Sequence, residues 1–357
     1  FRPPDEPHSL VRGAATRHPP ATPPHSPPVL CVQFYPERGL YSSRDTSVLG
    51  LQMRELASAG VSSIMLSWWG QAAKEVRRDS QGVSTDELVP AVLDAAAAAG
   101  VGVTWHIEPY GGRSPESVLD DLQYLHARYG AHPGVWRQPA GEGGATRMLP
   151  VVFLYDVSAE HSGNPMEQRA AREAWRRVKG RIRGTEADAV LLSLFVDKRD
   201  VDFVVDADLD GAYTYFAARG FTEGSTPANW MQLHQRMAAA GRRFVPSVGP
   251  GYNDTLIRPW NGAATRDREK GAYYDGMWRS ALDTSTNMVT ITSFNEWGEG
   301  TQIEAARPHV TGNGSAYADY APDPANFYME RTREWVQRAR RERGCDEPRS
   351  QTEHVEL

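Results

Sequence analysis

The sequence predicts an α/β fold, a (β/α)8 TIM-type barrel of parallel strands wrapped by helices, on three observations. Short apolar runs of strand length recur along the chain. Amphipathic segments with helix punctuation separate them, and aromatic and polar residues gather where many of the runs end. The runs are Val61–Trp69, Val101–Tyr110, Leu149–Tyr155, Ala189–Val196, Gly211–Phe216, Arg243–Val248 and Met288–Phe294. Each has the length of a strand buried on both faces. Between them, Ser84 precedes Glu87 by three in a capping-box pattern, and the Ala-rich run that follows stops at Gly100. Ser114-Pro115, Asn164-Pro165, Thr226-Pro227 and Asp323-Pro324 each set a capping side chain before a proline suited to the first helical position. Gly130, Gly180 and Gly241 are expected to close three of those helices. An open doubly wound sheet shares this alternation, but no G-x-G-x-x-G opens a helix after the first strand. In a barrel the strand ends form one mouth, which accounts for the gathered polar and aromatic residues.

Three segments are expected. Residues 1–28, rich in Pro, Ser, His and Thr, read as a disordered stem, residues 29–345 as the barrel domain, and residues 346–357 as a flexible tail. Because the chain begins at Phe1, it is expected to be a fragment. The 357 residues, 40% hydrophobic, suffice for one large core. A net charge of −6 supplies no basic footprint, so nucleic acid and anionic membranes are poor partners and a neutral ligand fits better. Two cysteines, Cys31 and Cys345, exclude a disulfide framework and a Cys-rich zinc site and leave room for one bridge. No run approaches the roughly 18 apolar residues of a membrane span, and the first residues do not read as a signal peptide.

The densest chemistry is Ser293-Phe294-Asn295-Glu296-Trp297-Gly298-Glu299-Gly300, at the end of the last apolar run. Two carboxylates three residues apart suit a site that protonates one oxygen while deprotonating another, and the glycines let both face one pocket. Against this stands a solvated, charged loop. A second cluster, Trp105-His106-Ile107-Glu108-Pro109-Tyr110, puts His106 and Glu108 on one strand face. A zinc deaminase would add Pro-Cys-x-x-Cys, which is absent. A structural pair and a ligand-binding pair both remain, and ligand binding at the mouth is preferred. Trp68 and Trp69, Tyr213 and Tyr215, and Tyr252, Arg258 and Trp260 add aromatic faces and hydrogen-bonding groups of the kind that hold sugars. Asp206-Ala207-Asp208-Leu209-Asp210-Gly211 opens like a calcium loop, but Ala217 stands where a bidentate Glu belongs. Arg331–Arg343 reads as a solvated helix face, and Asn253-Asp254-Thr255 and Asn313-Gly314-Ser315 are formal glycosylation acceptors. No cofactor and no metal are expected.

Together these strings resemble glycoside hydrolase family 99, the endo-α-1,2-mannosidases. The segments that carry the resemblance are Phe34-Tyr35-Pro36 with Tyr41-Ser42-Ser43-Arg44-Asp45, Leu66-Ser67-Trp68, His106–Tyr110, Gly211–Phe216, Pro246–Tyr252 with Ile257–Asn261, and Thr292–Gln302. The resemblance implies a retaining, endo-acting glycosidase that cuts internal α-1,2-mannosidic linkages of N-glycans or mannans. It also implies a substrate-assisted route, in which the sugar's 2-oxygen attacks C1 to give a 1,2-anhydro sugar. Glu296 then matches the carboxylate that pulls on the 2-hydroxyl and Glu299 the general acid/base. Trp68, His106, Glu108, Tyr213, Tyr215, Tyr252, Arg258 and Asn295 are the expected substrate-binding residues, and a mannose-containing oligosaccharide or glycoprotein glycan is the partner. The family's aromatic first strand has no counterpart here, so the barrel is expected to lack it. That raises an alternative, a catalytically impaired glycan-binding relative. A third reading makes Glu108 a carboxylate nucleophile. Trp68-Trp69-Gly70 resembles the bacterial branch, where vertebrate members have Trp-Tyr-Pro. The compartment implied by eukaryotic members is the Golgi lumen behind an N-terminal anchor, with a secreted or periplasmic protein as the alternative.

Overall fold

The computed structural model describes residues 32–74, 84–140, 146–312 and 314–344. The expected stem and tail, and both cysteines, lie outside the described residues.

Six strands form one parallel sheet in the order β1 (Ser63–Trp68), β2 (Gly102–Ile107), β4 (Arg147–Leu154), β5 (Val190–Leu194), β6 (Gly211–Tyr213) and β7 (Arg243–Val245). After Pro246 the chain resumes as β8 (Ser247–Val248), which pairs in parallel with β9 (Thr290–Ile291). The run expected as one strand is thus split at a proline, which has no N–H to give the ladder. A short strand not foreseen, β3 (Arg137–Ala140), pairs antiparallel with the start of β4, and its Pro139 suits an edge position.

Period two sorts each strand into an inner and an outer face. Val151, Phe153, Val190, Leu192, Leu194, Tyr213 and Val245 form the barrel interior. Val103, Trp105, Ile107, Val152, Leu154 and Leu191 instead pack outward with the helical layer. That layer contains α1 (Thr46–Ser58), α2 (Val89–Ala99), α3 (Pro115–Tyr129), α4 (Pro165–Ile182), α5 (Asp200–Asp206), α6 (Trp230–Ala239), α7 (Ala272–Asp283) and α8 (Phe327–Glu342).

Ser114 caps α3 in a reciprocal box with Ser117, and Asn164 caps α4 through Met166 N–H. Gly100 and Gly130 close α2 and α3 as expected, whereas several other signals work differently. The Ser84 hydroxyl is buried without a partner and makes no cap, because a 3-10 turn at Asp86–Leu88 precedes α2. Gly180 lies inside α4, which runs on to Ile182. Thr226 caps nothing, and α8 starts at Phe327, after Asn326, rather than at Asp323-Pro324.

Among the described residues no strand lies between β9 and β1, and no hydrogen bond joins them. Their facing edges border a cavity of about 530 Å³ that opens toward the barrel interior. Ile64 and Leu66 line it on one side, Val289 and Ile291 on the other, with Met53 of α1 and Val336 of α8 behind. This seam is where an eighth strand closes a (β/α)8 barrel.

Candidate active site

The last strand delivers two carboxylates to the mouth on one short turn. Beyond β9, Ser293 N–H donates to Thr301 O and Ile303 N–H to Ser293 O, which closes the loop on itself. Inside it, Glu296 N–H donates to Ser293 Oγ at 2.9 Å, and Trp297–Glu299 form a single 3-10 turn. Gly300 ends the turn at φ 62°, where a Cβ would stand 3.1 Å from Asn253 O. That conformation and that approach favour glycine. Asn253 N–H in turn donates to Glu299 O at 2.8 Å, tying the turn to the loop after β8.

That second loop is built around Asp254, whose side chain is fully buried. It accepts from Tyr252 Oη at 2.9 Å, Arg258 Nη1 at 3.0 Å and Asn261 Nδ2 at 3.0 Å. The same Arg258 Nη1 reaches Glu299 Oε1 at 3.1 Å. Asp254 therefore aims the guanidinium at Glu299. Reading the sequence missed this role and saw only a glycosylation acceptor.

The electrostatics of the two carboxylates differ. Glu296 stands open to the cleft yet is surrounded by protein. Desolvation, then the charges of Glu299 and Glu108, push its pKa up to about 7 against the pull of Arg258 and His106. Desolvation also raises the Glu299 pKa, but Arg258 opposes that rise through its charge and its hydrogen bond. Both acids thus hold a proton to higher pH than isolated carboxylates do, with Arg258 opposing the rise at each and hydrogen-bonded to Glu299.

The remaining expected binding residues divide into two sets. Tyr215 borders the pair. Its backbone sits at φ 42°, uncommon for a non-glycine residue, and its pKa is raised by burial and then by the charges of Glu299 and Glu296. Its ring stacks on His106 with centroids 5.3 Å apart. Tyr252 and Arg258 belong to the Asp254 loop, where Arg258 meets Glu299, and Asn295 lines the cavity beside Glu296, its Nδ2 donating to Tyr41 Oη at 3.4 Å. The other set lies beneath. His106 and Tyr213 are buried, with Nε2 and Oη 2.7 Å apart. His106 Nδ1 is 2.6 Å from Glu108 Oε1, which also accepts from Ser67 Oγ at 2.8 Å. Glu108, His106 and Tyr213 therefore make a hydrogen-bonded chain beneath the pair, and His106 and Ser67 also line the cavity at the seam.

Trp68 stands apart from both sets. Because Ser67 faces inward, Trp68 faces outward; it is fully buried, stacks on Tyr124 and donates to Asp86 Oδ1 at 3.0 Å. It braces the wall and does not face the cleft. By contrast Trp260, on the same loop as Arg258, is 75% exposed.

His161 on the loop after β4, Asp197 on the loop after β5 and Asp200 at the start of α5 form the one metal-like grouping among the described residues. Arg199 engages two of the three, its Nη2 donating to Asp197 Oδ2 at 2.5 Å and lying 2.9 Å from His161 Nδ1, while His161 Nε2 lies 3.4 Å from Asp200 Oδ1. The cluster is best described as a set of ion pairs.

Comparison with known proteins resolves the lineage. Residues 12–341 match glycosyl hydrolase family 99, most of the chain. The chain belongs to that family. It is 39% identical over 323 residues to a glycoprotein endo-α-1,2-mannosidase of Rattus norvegicus, covering 89% of this chain and 66% of that protein. A human glycoprotein endo-α-1,2-mannosidase-like protein is 40% identical over 319 residues, covering 88% of this chain and 66% of its own length. The chain thus spans just under two thirds of these relatives. Among solved structures, the family 99 endo-α-mannosidase of Bacteroides thetaiotaomicron superposes with a TM-score of 0.76 at 38% identity, covering 88% of this chain and 85% of that one. A glycoside hydrolase-like protein at 15% identity and TM-score 0.62 shares the fold.

Proposed function

We propose that this family 99 chain is a retaining endo-α-mannosidase acting on internal α-1,2-mannosidic linkages, with Glu296 and Glu299 as its working carboxylates. The observation that carries the reading is the pair itself. Two acids with raised pKa flank one turn at the barrel mouth, beside Tyr215 and Arg258. The family resemblance supplies the substrate class, and the names of the rat and Bacteroides relatives support it.

In the proposed step, Glu296 takes the proton of the sugar's 2-hydroxyl as that oxygen attacks C1. The C1–oxygen bond to the leaving group breaks, and Glu299 gives its proton to the departing oxygen. Water then opens the 1,2-anhydro sugar at C1, giving a proton back to Glu299, while Glu296 returns one to the 2-oxygen. Glu108 is a weaker candidate for a carboxylate nucleophile, because its Oε1 is already shared by His106 and Ser67 and the residue is 8% exposed.

Incubation with a glycan ending in an α-1,2-linked mannose disaccharide tests the reading. Release of a disaccharide or longer fragment, with the α-anomer seen first by NMR, is the expected result. Release of single mannose residues, or a β-anomer first, would overturn it. The open seam beside the pair favours the second reading, a glycan binder without turnover, and binding with no product would establish that instead. No helix among the described residues is long and apolar enough to cross a membrane. The glycoprotein substrate named for the mammalian relatives favours the Golgi lumen as compartment. Fractionation against secreted or periplasmic material would decide it.

A further inference from the structure

We propose that Glu304 is a positioning residue that fixes the turn carrying Glu296 and Glu299. The inference rests on reading those two acids as the working pair.

Glu304 is fully buried, and both its oxygens are engaged. Oε1 accepts from Arg38 Nε at 2.8 Å and Gln52 Nε2 at 3.0 Å. Oε2 accepts from Tyr41 Oη at 2.6 Å and Trp297 Nε1 at 3.2 Å. These donors come from three places: the loop before α1, α1 itself, and the catalytic turn. Trp297 lies between Glu296 and Glu299 in sequence, and its Nε1 also reaches Tyr41 Oη at 3.1 Å. Tyr41 in turn receives Asn295 Nδ2, so both residues flanking Glu296 are tied to the same buried carboxylate.

A purely structural role gives a poor account of this arrangement. Burying an ion pair contributes little net stability compared with a well-packed apolar group of similar size. What the carboxylate adds is direction, since two oxygens with fixed lone pairs place four donors at once. Arg38, shared with Glu55 at 2.6 Å, offsets part of the charge. Gln at this position would keep the size but point N–H groups at donors. Neither Arg38 nor the Trp297 indole is able to accept, so at least one contact breaks whichever way the amide turns. Misplacing a catalytic group by about 1 Å is worth on the order of 100-fold in rate.

The test uses the whole chain and compares Glu304→Gln with Asp275→Asn. Asp275 is a matched control, a buried carboxylate on α7 that accepts from Arg331 and from the Trp335 indole at 2.7 Å, outside the barrel. Glu304→Gln should lower kcat on an aryl α-mannosyl disaccharide by about 100-fold with little change in KM. Hydrogen exchange at the Glu299 and Gly300 amides should quicken at least roughly tenfold, as expected when a local closing contact is lost. Asp275→Asn should lower Tm and leave kcat and those amides unchanged. Trp297→Phe, which removes only the indole donor, should show a smaller version of both effects, and the double variant should be no worse than Glu304→Gln. If Glu304→Gln does not fold, Trp297→Phe decides. Unchanged kcat and unchanged exchange in the variant that folds would overturn the proposal. A wild-type chain that hydrolyses no mannoside would refute the proposed function, and the exchange data would still decide the role of Glu304.

Discussion

Replacing Glu296 by Gln should stabilise the protein, and only above mildly acidic pH. The folded group titrates at about 7 where an ordinary glutamate titrates at 4.5, so its folded pKa is raised. For such a group the folding contribution is fully present below about 4.5, where both states hold the proton. It is lost as pH rises through about 7, because the folded chain must then carry a poorly solvated charge. At about 1.4 kcal/mol per pKa unit, the ceiling on that loss is about 3 kcal/mol. Glu296 opens onto the cleft, and solvent screening reduces the figure to about 1 kcal/mol. Gln is neutral throughout. The variant should therefore melt about 2 °C above wild type at pH near 8, and together with it at pH near 4.5. Differential scanning calorimetry across that range is the assay. Equal Tm differences at both ends, or destabilisation at pH 8, would refute the reasoning about burial and charge. The same variant should hydrolyse slowly whatever the leaving group, because the 2-oxygen must still be activated.

Glu299→Gln should lose about 10²- to 10⁴-fold in kcat on a natural glycan and much less on an activated aryl glycoside, which departs without a proton; equal losses would remove Glu299 from the acid role. Arg258→Met removes the charge that opposes the raised pKa of both carboxylates, so the pH–rate profile should move to higher pH. It also leaves buried Asp254 with only neutral donors, at about 2 kcal/mol by denaturant titration. Trp68→Ala should destabilise by about 3–5 kcal/mol while kcat and KM of the folded fraction hold. Trp260→Ala should do the reverse, keeping Tm within about 1 °C and raising KM several-fold, since an exposed ring on the Arg258 loop can stack on a sugar at about 1 kcal/mol.

Strand positions were legible because each is an apolar run bounded by turn residues, and parallel order follows from the helices between. Facing was less legible. Leu66-Ser67-Trp68 is apolar on both sides of its serine, so nothing in the run says which side is core, and the tryptophan looks as suited to a sugar as to Asp86. The carboxylate pair proposed as catalytic was visible from its spacing, whereas its supports were not. Asp254 and Glu304 are ordinary acids in polar sequence, and their importance comes from partners set by the fold. Arg38 and Glu304 are 266 residues apart, a distance over which a single sequence carries no pairing signal. The missing capping role of Ser84 has a similar cause, because a local motif yields when a buried residue nearby, here Asp86, organises the backbone instead.

The proton inventory of the site bears on how the roles are assigned. An acid and a base are needed at once, so the two coupled carboxylates must share one proton during turnover, and that proton belongs to the pair more than to either residue. Arg258 bears on where that proton sits, because its charge opposes the raised pKa of both acids and its hydrogen bond is made to Glu299. The proposed reaction needs it on Glu299. A sugar seated between the acids changes the balance in that direction. Its 2-hydroxyl is a donor and stabilises an ionised Glu296, while its glycosidic oxygen can only accept and so favours a protonated Glu299. The substrate thus moves the proton to the residue that must donate it. A substrate-shaped cation with nitrogen at C1 but lacking the 2-hydroxyl donor should bind less tightly than its hydroxylated counterpart, with the gap narrowing below pH 7 as Glu296 protonates. Calorimetric titration of both compounds at two pH values would show it, and a gap that stayed constant with pH would break the link between the 2-hydroxyl and Glu296.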